Sequence, residues 1–435
     1  MPYLFNIAYL LALVACSPWL VWSALVRGKR RGGWNAKLFG SGPRREGNRP
    51  CAWFHAVSVG EVNLIQSIIE RFERAHPDWD VVITVTTAAG YELACRRYSP
   101  RMVVYAPFDF TWAVKATLDR IRPTLLVLAE LEIWPNLVAM TKARGAKVAV
   151  VNGRLSERSF AGYRRFAWLF RSTFAKLDLV AAQDGAYGAR FFAMGAPPLS
   201  VRMTGSVKFD GARPNRDNPQ TLRLAQLAGI TRDDVVFLAG STQAPEESLT
   251  LETYRQLRND FPQLRLVVVP RHPERFTEVA KLLDASGIDY VRRSQLESIH
   301  TDTSPRVLLV DTVGELGAWW GTAAIGFVGG SLENRRGGQN MIEPAAYGTS
   351  VCFGPNYWNF RDIAGRLLEA NAAKVVKSGS ELTAFVRWCL ESSAESQAMG
   401  KRAAEEVAKQ QGAADRTVAE LERILGLPTA TRKAA

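Results

Sequence analysis

Cysteine is scarce: five in 435 residues (Cys16, Cys51, Cys95, Cys352 and Cys389), widely scattered, odd in number and with no C-x-x-C pair. That excludes a disulfide framework and a thiolate zinc site, and leaves reduced thiols in a cytoplasm as the plain reading. The phosphate-binding loop G-x-x-x-x-G-K-[ST] is absent, and so is the dinucleotide fingerprint G-x-G-x-x-G. No internal repeat or low-complexity tract stands out. With 47% apolar and 22% charged residues, the composition is that of a globular protein of two or three domains, which excludes collagen, disorder and a heptad rod.

Charge is the anomaly. Lys and Arg number 55 against 42 Asp and Glu, a formal +13. Spread evenly, such an excess points to nucleic acid. Here it is concentrated: residues 27–49 hold eight basic residues and one acid, and residues 154–176 hold six and one. The remainder is almost neutral, so no nucleic-acid partner is expected.

The first basic cluster follows a stretch with no Asp, Glu, Lys, Arg or His. Tyr3 to Val26 is apolar apart from Asn6, Ser17, Pro18 and Ser23. As a helix it would reach about 36 Å, enough for the hydrocarbon core of a bilayer. Arg27, Lys29, Arg30 and Arg31 come next, which by the positive-inside rule places the rest of the chain in the cytoplasm, beside inner-membrane phospholipids. A cleaved signal peptide would carry its basic residues first. The lipoprotein-like box Leu13-Val14-Ala15-Cys16 lacks them too, and Pro18 leaves open a helix lying in the interface.

From Cys51 onward, β-rich runs at 51–57, 81–87, 102–106, 124–129, 147–151 and 178–182 alternate with helical stretches such as Val62–Arg74 and Trp134–Arg144. Residues 211–220 (GARPNRDNPQ) interrupt the pattern, which resumes at 235–239, 265–269, 306–310, 323–328, 350–353 and 373–376. The expectation is an α/β protein of the GT-B type: a membrane-anchor helix (1–26), a basic juxtamembrane segment (27–50), and two doubly wound, Rossmann-like domains (51–210 and 221–425) facing a cleft. A linker (211–220) and a tail (426–435) complete the chain.

Five segments bear on chemistry. Asp78-Trp79-Asp80 is formally a D-x-D metal motif, but its place before a strand reads as a solvated loop. His55 to Glu61 puts a glycine and an acid at the carboxyl end of the first strand, where ligands bind in open α/β sheets. Glu61 is there either a dipole-complementing acid or a general base, and the helix N-terminus should weaken its basicity. Arg271, after a buried strand and before Pro273, suits a phosphate. Gly329-Gly330 and Gly337-Gly338, with Glu343 in the next helix, read as a nucleotide loop whose acid accepts from ribose hydroxyls. In 160–174, Tyr163, Phe166, Phe170 and Phe174 form one helical stripe with Arg164, Arg165 and Arg171 off it, either a core face or part of an acceptor site.

In order along the chain stand HAVSVGE (55–61), AELEIWPN (129–136), NGRLSERS (152–159), GSVKFD (205–210), PRHPERF (270–276), DTVGEL (311–316) and GGQNMIEPAAYG (337–348). Together they resemble the 3-deoxy-D-manno-octulosonic acid (Kdo) transferases of lipopolysaccharide biosynthesis, over essentially the whole chain. The resemblance implies transfer of Kdo from CMP-Kdo to a lipid A precursor, with inversion and with no metal or other cofactor. It implies Glu61 as the base, and Glu130 and Lys208 as transition-state stabilisers. It implies Pro270, Arg271, Val313, Gly314, Glu315, Asn340, Met341, Ile342 and Glu343 as contacts of CMP. The last loop departs from the family pattern: Gln339 stands for a usual His, Met341-Ile342 for Pro-Leu, and 333–336 looks one residue longer. How an anionic Glu130 helps is open, between holding a cation or hydroxyl and a purely structural acid. Apart from the resemblance, the same fold would also serve a UDP-sugar transferase or a non-catalytic binder of the lipid A precursor.

Overall fold

The computed structural model describes residues 5–11, 14–15, 17–18, 22, 32–212, 215–297, 306–333 and 336–428. Much of the apolar run, the basic residues 27–31, residues 334–335 and the end of the tail therefore lie outside the described residues. Among the described residues no helix is long and apolar enough to cross a membrane. The chain divides into two compact units, one of 1–211 with 411–435 and one of 212–410.

The first unit is built on seven parallel strands: β1 (Cys51–Ala56), β2 (Asp80–Val85), β3 (Met102–Tyr105), β4 (Leu125–Ala129), β5 (Lys147–Gly153), β6 (Leu179–Ala182) and β7 (Val201–Met203). Their order is β3-β2-β1-β4-β5-β6-β7, so the winding reverses between β1 and β4. Alternation explains why β1 reads as an unbroken apolar run. Ala52, Phe54 and Ala56 pack with Ile65, Ile69 and Phe72 on one face; Cys51 and Trp53 pack with Leu118, Val138 and Phe174 on the other.

The second unit repeats the plan with β8 (Val235–Thr242), β9 (Leu264–Pro270), β10 (Tyr290–Arg292), β11 (Val307–Leu309), β12 (Ile325–Val328), β13 (Ser350–Phe353) and β14 (Ala373–Val375), in the order β10-β11-β9-β8-β12-β13-β14. Here the reversal falls between β8 and β12. β7 and β10 were not anticipated. Each is a three-residue strand at a sheet edge, too short to show a period.

Four further expectations change. The helix Ala413–Leu425 belongs to the first unit, not the second. Ala413, Ala414, Val418 and Leu421 are in the core with β1 and β4, His76 Nε2 lies 2.9 Å from Glu422, and Asp210 accepts from the backbone N–H of Gly412, Ala413 and Ala414 at 2.7, 3.2 and 2.5 Å. Asp210 thus caps a helix whose own N-cap, Gly412, has no side chain to offer. The proposed linker is mostly structure of the second unit: Arg216 donates to the carbonyls of Tyr347, Gly321 and Ala323, and Asn218 caps the helix Pro219–Leu227.

The basic cluster is not all surface. Arg45 is buried and donates to the carbonyls of Ile121 and Arg49 and to Asp80 at 2.6 Å; Lys37 is buried, 4.6 Å over the Tyr105 ring. Finally, the aromatic stripe is broken. Phe166 separates the helices Glu157–Arg165 and Ala167–Phe174, and is itself exposed. Tyr163 still meets Phe170 and Phe174 edge-on, with ring centroids 4.9 and 5.7 Å apart, and Phe174 is fully buried.

Candidate active site

The carboxyl ends of β1, β4 and β5, flanking the reversal of the first sheet, carry the acidic residues of interest. Ser58 caps the helix Val59–Ala75, and Glu61 is its third residue. The pair forms a capping-box arrangement: Val57 N–H donates to Glu61 Oε2 at 2.6 Å, and the Ser58 hydroxyl to Oε1 at 3.1 Å. Two donors and a helix dipole favour the carboxylate, yet the Glu61 carboxyl is pushed up to about 7. Burial is the largest cause, and the charges of Glu132 and Glu130 add to it. The expected loss of basicity at the helix N-terminus is therefore outweighed: Glu61 is poised to take up a proton near neutrality.

Glu130 begins the loop after β4 with φ 52°, and Asn152 near the end of β5 shares that φ. The Asn152 amide lies 3.4 Å from Glu130 Oε1, its carbonyl oxygen accepts from Val207 N–H at 3.1 Å, and its backbone carbonyl accepts from Gln183. Val207 opens the turn that presents Lys208, whose Nζ is 3.8 Å from Glu130 Oε1. Glu130 thus has a cation within ion-pair distance. Lys208 remains exposed enough to reach a second anion. Glu61, Glu130 and Lys208 thus gather at one sheet edge. Asn152 and Glu132 were not singled out beforehand. Glu132, raised by burial and bonded by Trp134 Nε1 at 3.0 Å, is the third carboxylate of the group. Both lie within the segments that carried the resemblance, but only the fold shows what they touch.

In the second unit the corresponding edge carries the other set. Pro270 ends β9, and the Arg271 backbone N–H donates to Thr242 of β8 at 3.0 Å. Arg271 Nε donates to Gln339 Oε1 at 3.1 Å, so the residue that departs from the family pattern orients the arginine. Gly330, Gly337 and Gly338 have φ of 63°, 80° and 80°, which is why this loop needs glycine. Glu246, buried at 2% exposure, accepts from the N–H of Gln243, Gly330, Ser331 and Leu332 and so fixes the loop's course; the sequence reading missed it. Asn340 donates to Glu343 at 3.0 Å, and burial holds the Glu343 carboxyl above its usual range. The side chains of Met341 and Ile342 are buried and support the turn, which leaves their backbone to meet a ligand. Glu315 is bound through both oxygens by Arg293, each at 2.9 Å, and by Thr312 at 2.6 Å. Burial pushes its carboxyl up, but those hydrogen bonds and the Arg293 charge bring it below the ordinary range. Val313 stands 76% exposed beside Gly314, whose φ is 92°. The structure therefore brings Arg271 near the glycine loop, and Asn340 to Glu343. Asp80 of the D-x-D pairs with Arg45, and among the described residues no cluster of three His, Cys, Asp or Glu is placed to hold a metal.

Comparison with known proteins gives the family. Residues 30–211 match a family described as 3-Deoxy-D-manno-octulosonic-acid transferase (kdotransferase). The 3-deoxy-D-manno-octulosonic acid transferase of Bordetella pertussis is 37% identical over 96% of this chain and 99% of its own length; that of Haemophilus influenzae is 30% identical over 85% and 87%. Among solved structures, the UDP-GlcNAc 2-epimerase of Neisseria meningitidis bound to UDP-GlcNAc covers 86% of this chain and 100% of its own, with a TM-score of 0.56 and 12% identity, a likeness of fold alone. With full-length relatives at this identity and the expected acids and cations at the two sheet edges, the chain belongs to the Kdo transferase family, glycosyltransferases of lipopolysaccharide biosynthesis.

Proposed function

We propose that the enzyme takes Kdo from CMP-Kdo and transfers it, with inversion and without a metal, to a hydroxyl of a lipid A precursor. The single observation that carries the mechanism is Glu61, a carboxylate pushed up to about 7 at the edge where open α/β sheets bind ligands. A base of that strength can accept the acceptor hydroxyl's proton as the new bond forms, for which general base catalysis contributes about 10²–10⁴-fold. The carbon attacked is quaternary and bears a carboxylate, so the transition state has oxocarbenium character with anionic groups on both the sugar and the departing CMP. Lys208, steadied by Glu130, offers a cation in the first unit; Arg271, steadied by Gln339, offers one in the second. Glu343 would accept from the ribose hydroxyls and exposed Val313 would lie against the base.

The same reading places the enzyme at the cytoplasmic face of the inner membrane, among its phospholipids. Supporting it are the apolar run followed by basic residues, the exposed Ile7, Leu10, Leu11, Val14 and Trp22, and exposed Phe166 and Trp168 beside Arg164 and Arg165. The test is mass spectrometry of the product formed from CMP-Kdo and a defined lipid A precursor, with and without a chelator. Turnover of a UDP-sugar in place of CMP-Kdo would overturn the donor assignment. A chelator that abolishes transfer would overturn metal independence.

A further inference from the structure

The apolar N-terminal run has a second use. Residues 5–11 are helical and lie against the first unit, with Phe5 and Asn6 buried and the Phe5 ring 6.3 Å from that of Phe170. Asn6 makes the contacts of a helix cap, to a helix far away in sequence. Its Oδ1 accepts from the Thr111 N–H at 3.0 Å, and its Nδ2 donates to the Thr111 hydroxyl at 2.8 Å. Thr111 opens the helix Thr111–Ile121, whose own N-cap is Phe110, which has no side-chain acceptor. The next helix, Pro135–Ala143, has the same defect, with Trp134 at its N-cap. Asp109 repairs it, accepting from the N–H of Asn136 and Leu137 at 2.9 and 2.7 Å. The hydroxyl of Tyr9 donates to Asp109 Oδ2 at 3.1 Å, and Nδ2 of buried Asn136 reaches Asn6 Oδ1 at 3.3 Å and the Asp109 carbonyl at 2.5 Å.

Asn6, Tyr9, Asp109, Thr111 and Asn136 thus form one network tying the N-terminal segment to two helix ends. The second of those ends closes the short loop of residues 130–134, which carries Glu130 and Glu132. A loop pinned at one end by β4 and at the other by this network has little freedom. Unpinning the second end lets both carboxylates drift.

We propose that Asn6 and Tyr9 are positioning residues for the transfer reaction: by capping and bridging these helix ends, they hold the Glu130–Trp134 loop, with its two carboxylates, beside Glu61. The segment that reads as a bilayer tether is then also a part of the catalytic unit, with its polar atoms turned to the protein and its apolar Ile7, Leu10 and Leu11 left exposed for lipid.

The experiment uses the full-length chain in detergent. Asn6→Ala should lower kcat by about 10- to 100-fold, as small displacements of distant supports do, while the KM for CMP-Kdo stays within about twofold. Tyr9→Phe, which removes one hydroxyl, should do the same more weakly. A positioning role has a signature that a simple loss of folded protein lacks. Glu61 faces Glu130 and Glu132, and Glu130 faces Lys208. When the loop loosens, Glu61 becomes more hydrated and its acidic neighbours recede, so the acidic limb of the kcat–pH profile moves to lower pH. An unmoved limb, or a loss of activity matched by loss of folded protein in circular dichroism, overturns the proposal. It rests on the reading of Glu61 as the base, so Glu61→Gln is assayed alongside. If that variant still transfers, the base assignment fails, and the kcat of Asn6→Ala alone then decides the positioning role.

Discussion

Glu61 in the first unit and Glu315 in the second are both acids beside the carboxyl end of a strand. Each is an acid at or near the N-terminal end of a helix that follows the carboxyl end of a parallel strand. Their proton affinities diverge: Glu61 is raised to about 7, whereas Glu315 lies below the ordinary range. Burial raises both carboxyls, and at Glu61 it is the largest cause of the shift. Beyond burial they differ in the nearest charge, which for Glu61 is a pair of acids and for Glu315 is a guanidinium bound through two hydrogen bonds. A carboxylate left without a cation becomes a base, and one clamped by Arg293 becomes a fixed acceptor.

Breaking the first half of that comparison should have the largest effect. Glu61→Gln should lower transfer by about 10²–10⁴-fold in product assays, while CMP affinity, read by calorimetry, stays within about twofold. The same variant should be more stable than the parent at pH 8. Because the carboxyl is raised in the folded state, stability is present below its ordinary 4.5 and is lost as pH rises through about 7. Glutamine removes that loss, a gain of about 1–3 kcal/mol in denaturant unfolding.

Removing the cation that Glu130 steadies comes next. Lys208→Met should cost about 10–100-fold in kcat, and Lys208→Arg should recover part of it. In the other unit, Glu315→Gln leaves Arg293, which is 9% exposed, with only the exposed Glu297, 3.7 Å away, as a charge partner. Folding stability should fall by about 2–4 kcal/mol and the KM for CMP-Kdo should rise, with no change in the pH profile of kcat. Asp210→Ala should remove the cap of the last helix at about 1–2 kcal/mol, read as earlier proteolysis within 411–428. The smallest effect is a shape. kcat should climb with pH through about 7 as Glu61 loses its proton, whereas the KM for CMP-Kdo should stay flat because Glu315 is ionised throughout.

Much of this was legible in the residues. Among the described residues, twelve of the fourteen strands fall on apolar runs that the alternation marks, because a strand covered on both faces must be apolar along its length. Glu61, Arg271 and Glu343 stand where strand-end logic puts ligand-binding groups. The parts that were not legible share one physical cause. Asn6, Asp109, Asp210 and Glu246 each satisfy backbone N–H groups of another segment, up to 204 residues away in the case of Asp210 with Ala414. A cap supplied from a distance leaves its own neighbourhood looking like any polar loop. The helix it serves starts with a residue, such as Phe110 or Gly412, that no local rule would choose. Lys37 and Arg45 belong to the basic segment beside the apolar run, yet both are buried: charge is visible in a sequence, but burial is not.

By itself, then, the sequence determined two parallel α/β units, the family through its ordered motifs, and which acids and cations stand at strand ends. Those depend on side-chain periodicity and on residue identity, which are local. The tertiary structure decided which carboxyl is raised and which is lowered, where the last helix belongs, and that the N-terminal run reaches back to the helix end beside residues 130–134. Proton affinity and capping are set by whatever the fold brings within a few ångströms, and in this chain those neighbours come from residues far apart in sequence.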